Sequence, residues 1–122
     1  MNRIIVDTSI WIDHLHKREV NLVKLLDDDA VACHPFIIGE IACGSIRDRA
    51  VFLELLQALP ILQIVEPHEL LHFIERNHIP GSGIGLVDVH LLATCRLHNC
   101  RIWTKDKKLL VLASKLHLAI SF

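Results

Sequence analysis

The chain has no apolar run long enough to span a membrane, because none approaches the roughly 18 consecutive residues that a transmembrane helix needs. The N-terminus also lacks the apolar core of a signal peptide, since Asp7 and Asp13 interrupt it. These two absences predict a cytoplasmic protein with no membrane partner. The length of 122 residues predicts a single domain, 1–122, with no second domain to be sought.

An excess of charge of one sign is missing as well. The formal net charge of −1 excludes a surface that is basic throughout, although a local basic cluster could still bind phosphates. The four cysteines, Cys33, Cys43, Cys95 and Cys100, have no C-x-x-C spacing, which predicts reduced thiols in the core. A zinc site formed by Cys95, His98 and Cys100 is the alternative.

Hydrophobic residues are abundant instead. They make up 52% of the chain, and the mean hydropathy is +0.40, which is high for so short a sequence. Apolar surface that a small domain cannot bury usually marks a contact with another protein. The composition therefore predicts a homodimer and an apolar contact with a partner.

A continuous apolar run at residues 4–6 ends at Asp7 and passes at once into the hydroxyl residues Thr8 and Ser9. A run without apolar and polar alternation is typical of a parallel strand that is covered on both faces. In open parallel sheets, ligands bind at the carboxyl ends of the strands. Asp7 is therefore predicted to lie at a functional edge.

Further strands and helices alternate along the chain with short connections. Besides residues 4–6, strands are predicted at 30–33, 61–65, 101–104 and 118–122, and helices fill the intervals between them. Such alternation predicts an α/β protein with a central, mostly parallel sheet flanked by helices, which makes three layers.

Three other acids can reach the same edge as Asp7. Glu40 lies beside an apolar helical stripe, Asp88 lies in the first turn of a helix, and Asp106 follows the strand at 101–104. Each acid has a purely structural alternative: Asp88 stabilises a helix dipole, and Asp106 caps the next helix.

Four carboxylates at one edge repel one another, which raises some pKa values and destabilises the fold unless cations bind. Hard oxygen ligands suit Mg²⁺ or Mn²⁺. Such a cation can lower the pKa of a bound water and stabilise the leaving oxygen of a phosphodiester. The acids therefore predict metal-assisted phosphodiester hydrolysis, and the densest basic cluster, Lys105, Lys107 and Lys108, is predicted to hold phosphates beside them.

Other interpretations stay open at this point. The glycine-rich segment 81–85 lacks the Lys-Ser/Thr ending of a nucleotide-binding loop and does not follow a strand. A phosphoaspartyl hydrolase would have a second Asp two residues after Asp7, but position 9 is Ser. A receiver-type phosphoacceptor domain and a binding module without catalytic activity remain alternatives, and DNA remains an alternative substrate to RNA.

Four ordered segments resemble the motifs of PIN-domain nucleases, and most closely those of the VapC ribonuclease toxins. The resemblance covers essentially the whole chain, in order and at suitable spacing, and the segments are Ile5-Val6-Asp7-Thr8-Ser9, Glu40-Ile41-Ala42-Cys43-Gly44, Gly85 to Ala93, and Trp103 to Leu109. The resemblance implies a PIN-like fold and an Mg²⁺-dependent endoribonuclease. It also implies a homodimer that a cognate antitoxin protein holds inactive.

By this resemblance, Asp7, Glu40, Asp88 and Asp106 are the catalytic, metal-binding acids. Thr8 and Ser9 would shape the site beside Asp7, and Thr104 would support Asp106 through a Thr-x-Asp pattern.

Overall fold

The computed structural model describes residues 2–122 and folds them into three strands and seven helices. In chain order, these are β1 (Ile4–Val6), α1 (Thr8–His16), α2 (Val20–Asp27), β2 (Val31–Ala32), α3 (Pro35–Cys43), α4 (Arg49–Gln57), α5 (Pro67–Arg76), α6 (Leu86–His98), β3 (Arg101–Trp103) and α7 (Lys107–Lys115).

The sheet has the order β2-β1-β3, and both pairings are parallel. Ile5 on the central strand pairs with Ala32 on one side and with Ile102 on the other. Helices cover this sheet, which confirms the predicted α/β architecture. Because all three strands run in the same direction, their carboxyl ends share one edge.

The strands predicted at 61–65 and 118–122 are wrong as full strands. Each contributes one parallel bridge, Cys33 with Ile61 and Ile102 with Ala119, at the outer edges of the sheet. The first ladder stops because the residue after Cys33 leaves the sheet to begin α3. An apolar run can extend a sheet only as far as its neighbour stays extended.

The core is built around β1 and α6. All three residues of β1 are buried, as their unbroken apolar pattern predicted. Helix α6 is buried through its middle, with Leu91, Leu92 and Cys95 fully covered. Its first turn is less covered, which leaves Asp88 half-buried at the end of a helix that the core holds in place.

The cysteines behave mainly as core residues. Cys33, Cys95 and Cys100 are buried and free, whereas Cys43 is exposed. Burial raises the pKa of Cys33 to about 11 and also raises the pKa of Cys95. Within residues 2–122, no group of three His, Cys, Asp or Glu side chains is arranged as a metal site, so the zinc alternative gains no support.

None of the helices in the described part of the chain combines the length and the apolar character that a membrane span needs.

Candidate active site

The carboxyl ends of β1 and β3 meet at Asp7. Its backbone N–H donates to the carbonyl of Trp103 over 2.9 Å, which continues the ladder by one step beyond the strands. Asp7 occupies the N-cap position of α1, but its side chain makes no capping hydrogen bond and is nevertheless buried. The carboxylate is therefore directed to other partners.

Two hydroxyl groups hold that carboxylate. Oδ2 of Asp7 accepts hydrogen bonds from Ser9 Oγ at 3.0 Å and from Thr104 Oγ1 at 2.7 Å. Bonds to an ionised acceptor are stronger than neutral ones, so they fix the orientation of the carboxylate. The other oxygen, Oδ1, lies outside both of these bonds.

Thr104 connects Asp7 to Asp106. Its hydroxyl oxygen accepts from the backbone N–H of Asp106 at 3.0 Å while the hydroxyl itself donates to Asp7. Asp106 then caps α7, because its Oδ1 accepts from the N–H of Leu109 at 3.0 Å. The capping interpretation of Asp106 is thus confirmed as a contact, and the same contact fixes the exposed carboxylate beside the edge.

Thr8 and Ser9 lie in the first turn of α1, and both hydroxyls bind acids. Thr8 Oγ1 donates to Oε1 of Glu40 over 3.1 Å, which ties the start of α1 to α3. Helix α3 begins at Pro35, and Nδ1 of the preceding residue, His34, accepts from the N–H of Phe36 at 3.0 Å. This cap fixes the helix on which Glu40 lies.

Asp88 is the acid whose pKa is affected by the charges of the other three. Its pKa is raised to about 6, first by burial and then by the negative charges of Asp7, Asp106 and Glu40. Like charges act on a carboxyl group in this way only over short distances. Asp88 therefore lies within electrostatic reach of the other three predicted acids, two of which follow strands and one of which lies on α3.

The donor chemistry of this site fits a hard divalent cation. Four carboxylates with neighbouring hydroxyls supply the oxygen ligands that Mg²⁺ and Mn²⁺ prefer. The pKa of Asp88 is raised first by burial and then by the other acids, and a cation would relieve the repulsion among these acids. In residues 2–122, however, no three of these side chains already close on one point, so coordination would draw them together.

The lysine cluster borders the site unevenly. Lys105 Nζ lies 2.6 Å from Asp13 Oδ2, and this hydrogen bond raises the pKa of Lys105. The Lys108 side chain lies along Gly83. A Cβ built on that glycine would be 3.5 Å from Nζ of Lys108. The sequence had not indicated Asp13 as a functional residue, although its spacing of four from Ser9 on α1 was a usable signal.

The sequence matches the PIN domain over residues 4–115. The chain belongs to the PIN-domain family. It is also 45% identical over 107 residues to Ribonuclease VapC32 of two Mycobacterium tuberculosis strains, CDC 1551/Oshkosh and ATCC 25618/H37Rv, covering 87% of this chain and 86% of those proteins. The predicted resemblance is confirmed, and the chain is a VapC-type PIN-domain protein.

Solved structures agree on the PIN fold. PAE2754 from Pyrobaculum aerophilum superposes with a TM-score of 0.60 at 16% identity, over 91% of this chain and 79% of that one. FitAB bound to an IR36 DNA fragment gives a TM-score of 0.64 at 19% identity, over 91% and 90%. At such identities, the likeness concerns the fold alone.

Proposed function

We propose that this PIN-domain protein is a metal-dependent endoribonuclease, using Mg²⁺ or Mn²⁺, and the toxin of a type II toxin–antitoxin system in the cytoplasm. The observation that carries the proposal is the hydrogen-bonded link from Asp7 through Thr104 to Asp106, and the raised pKa of Asp88, to which the other three acids contribute, supports it. The kinship with Ribonuclease VapC32 supports RNA as the substrate.

The acids and the hydroxyl residues of the site have different roles. The cation would be held by Asp7, Glu40, Asp88 and Asp106. When bound, it lowers the pKa of a water molecule and stabilises negative charge on the phosphate. Ser9 and Thr104 keep the Asp7 carboxylate in one orientation, so that little reorganisation is needed on binding. Thr8 does the same for Glu40.

Asp88 contributes differently because its pKa of about 6 lies near neutral pH. A bound cation would favour its ionised form, so the proton on Asp88 and the cation compete for the site. Metal affinity should therefore fall as the pH drops through 6.

The partners follow from the same proposal. The 122 residues act as a single nuclease domain, the basic cluster Lys105, Lys107 and Lys108 holds RNA phosphates, and the protein pairs with itself and with a cognate antitoxin. Exposed apolar residues support a protein contact: Leu15, Val51, Leu55, Leu71 and Leu97 all lie at the surface.

The test is RNA cleavage by Asp7→Asn and Asp88→Asn across a titration of Mg²⁺. Both variants should lose cleavage, because an amide carries no charge and binds hard cations poorly. Asp28→Asn is the matched control, since Asp28 is an exposed acid in the turn before β2, away from the carboxyl edge. It should cleave as the wild type does.

Full cleavage by both site variants would reject this site. A folded wild type that cleaves no RNA with either cation would favour the module without catalytic activity. Phosphorylation of one Asp without cleavage would favour the receiver-type domain.

A further inference from the structure

Helix α1 holds Lys105 at two points. The backbone N–H of Lys105 donates to Ser9 Oγ at 3.2 Å, and its Nζ donates to Asp13 Oδ2 at 2.6 Å. Ser9 and Asp13 are four residues apart, so they share one face of the helix. Both the backbone and the ammonium group of Lys105 are therefore fixed to α1.

The ion pair with Asp13 contributes little to the fold. The two side chains are 48% and 51% exposed, and exposed pairs of this kind are weak in water. The negative groups that raise the pKa of Lys105 are Asp13 first and then Glu19, which precedes α2. Within residues 2–122, the ion pair of Lys105 is with Asp13.

We propose that Asp13 is a positioning residue for RNA binding, which holds the Lys105 ammonium in a resting position until an RNA phosphate displaces it. The inference rests on the proposed function, because it needs RNA at this edge. Carboxylate and phosphate oxygens compete for the same donor, so binding a phosphate requires the pair with Asp13 to open.

Asp13 acts through Lys105 alone in this scheme. Lys108 lies along Gly83, and Lys107 is the exposed first residue of α7, so α1 does not hold either of them in a described ion pair. The effect of removing the Asp13 charge should therefore disappear when Lys105 is absent. That dependence distinguishes a specific competitor from a general change in surface charge.

The experiment measures binding of a short fluorescein-labelled single-stranded RNA by anisotropy, with excess EDTA to prevent cleavage. Asp13→Asn should bind RNA about two- to fivefold more tightly than the wild type, the change that an exposed ion pair allows. The plot of log affinity against log salt should become steeper by up to about 0.7, the value for one added contact to a single strand.

Three further variants complete the test. Lys105→Ala should weaken binding, and Asp13→Asn added to Lys105→Ala should change nothing more, which a double-mutant cycle reports as coupling. Asp28→Asn adds the same unit of charge elsewhere and should bind as the wild type does. Thermal melting checks that all variants are folded.

The proposal is overturned if Asp13→Asn binds the RNA as tightly as the wild type or more weakly. It is overturned as well if neither protein binds the RNA measurably. It is also overturned if the gain persists without Lys105 or is matched by Asp28→Asn. Cleavage by the wild type with Mg²⁺, measured in parallel, tests the proposed function separately: a nuclease whose Asp13→Asn variant binds unchanged retains its function and loses this inference.

Discussion

Asp88 shows the energetic cost of burying an acid beside other acids. It lies where a helix dipole favours an anion, yet its pKa rises to about 6 because burial and three neighbouring carboxylates outweigh that benefit. The folded protein therefore binds a proton at Asp88 more tightly than the unfolded chain does, whose carboxyl group has a pKa of 3.8.

This difference predicts a particular pH dependence of stability. Between pH 3.8 and about 6, only the folded state keeps the proton, so the contribution of Asp88 to the free energy of unfolding falls as the pH rises. Asp88→Asn removes that loss, so without metal it should be more stable than the wild type above pH 6. Urea denaturation across this range measures the difference curve.

Two comparisons complete that measurement. Asp28→Asn should follow the wild-type curve, because Asp28 is exposed and away from the site. Added Mg²⁺ should stabilise the wild type more than Asp88→Asn. A difference curve that is flat across the pH range would contradict the repulsion at Asp88.

At this scale, the sequence predicted the four acids but not their contacts. Asp106 was open to interpretation as a cap or as a ligand, and the structure shows that a capping bond leaves room for both roles. The pairing of Asp13 with Lys105 was not predicted, since it joins helix α1 to the distant loop after β3 through flexible side chains. Periodicity can place a residue on a face but does not choose its partner.

At the scale of elements, the start of α3 is fixed by contacts among three aromatic rings. The Phe36 ring lies 5.1 Å from the His34 ring and 4.9 Å from the His90 ring, measured between centroids. These contacts join α3, which carries Glu40, to α6, which carries Asp88. His34 is fully buried, and burial together with the charges of His90 and His98 lowers its pKa to about 4.

The cap at His34 should make α3 sensitive to acid. Its Nδ1 accepts the N–H of Phe36, so a proton on that nitrogen breaks the cap. Since the ordinary pKa is 6.5, the unfolded state takes up the proton first, and stability falls as the pH drops from 6.5 towards 4. His34→Asn and His34→Ala should both lose this acid dependence, as urea denaturation at several pH values can show.

The two substitutions should differ in another respect. Asn can cap a helix and Ala cannot, so at neutral pH His34→Ala should be less stable than His34→Asn by about 1 kcal/mol. Equal stability of the two variants would show that the ring, rather than the cap, is what α3 requires.

The helices were more predictable than the strands. Helices were predicted in the intervals between the strands, and the described part of the chain forms seven helices there, two of which begin at Pro35 and Pro67. The outer strands failed because pairing depends on a neighbour that the local sequence does not describe. Ile102, for example, exchanges hydrogen bonds with Leu118 and Ile120, and the ladder goes no further.

For the whole molecule, large apolar residues are exposed on several elements. Leu15, Val51 and Leu55 are exposed on α1 and α4 and line a common pocket, whereas Leu71 and Leu97 are exposed on α5 and α6. Exposed apolar residues that cluster usually mark a contact with another protein. Two surfaces match the two protein contacts of the proposal, one with a second copy and one with an antitoxin.

Self-association should therefore depend on one surface and not on the other. The wild type should be a dimer by light scattering. One of the two variants, Leu55→Glu or Leu97→Glu, should be a folded monomer, because a buried unpaired charge opposes association. The variant that remains dimeric serves as the control for the added charge. A wild type that stays monomeric at high concentration would contradict the dimer.

The central position of β1 has a consequence for how the protein is made. Asp7 reaches its Thr104 partner across 97 residues, so the sheet cannot complete itself until β3 has emerged from the ribosome. Before then, the first strand lacks one neighbour, Asp106 has not been made, and Asp7 lacks its Thr104 partner. If the chain cuts RNA, we therefore expect cleavage to begin only when synthesis is nearly finished.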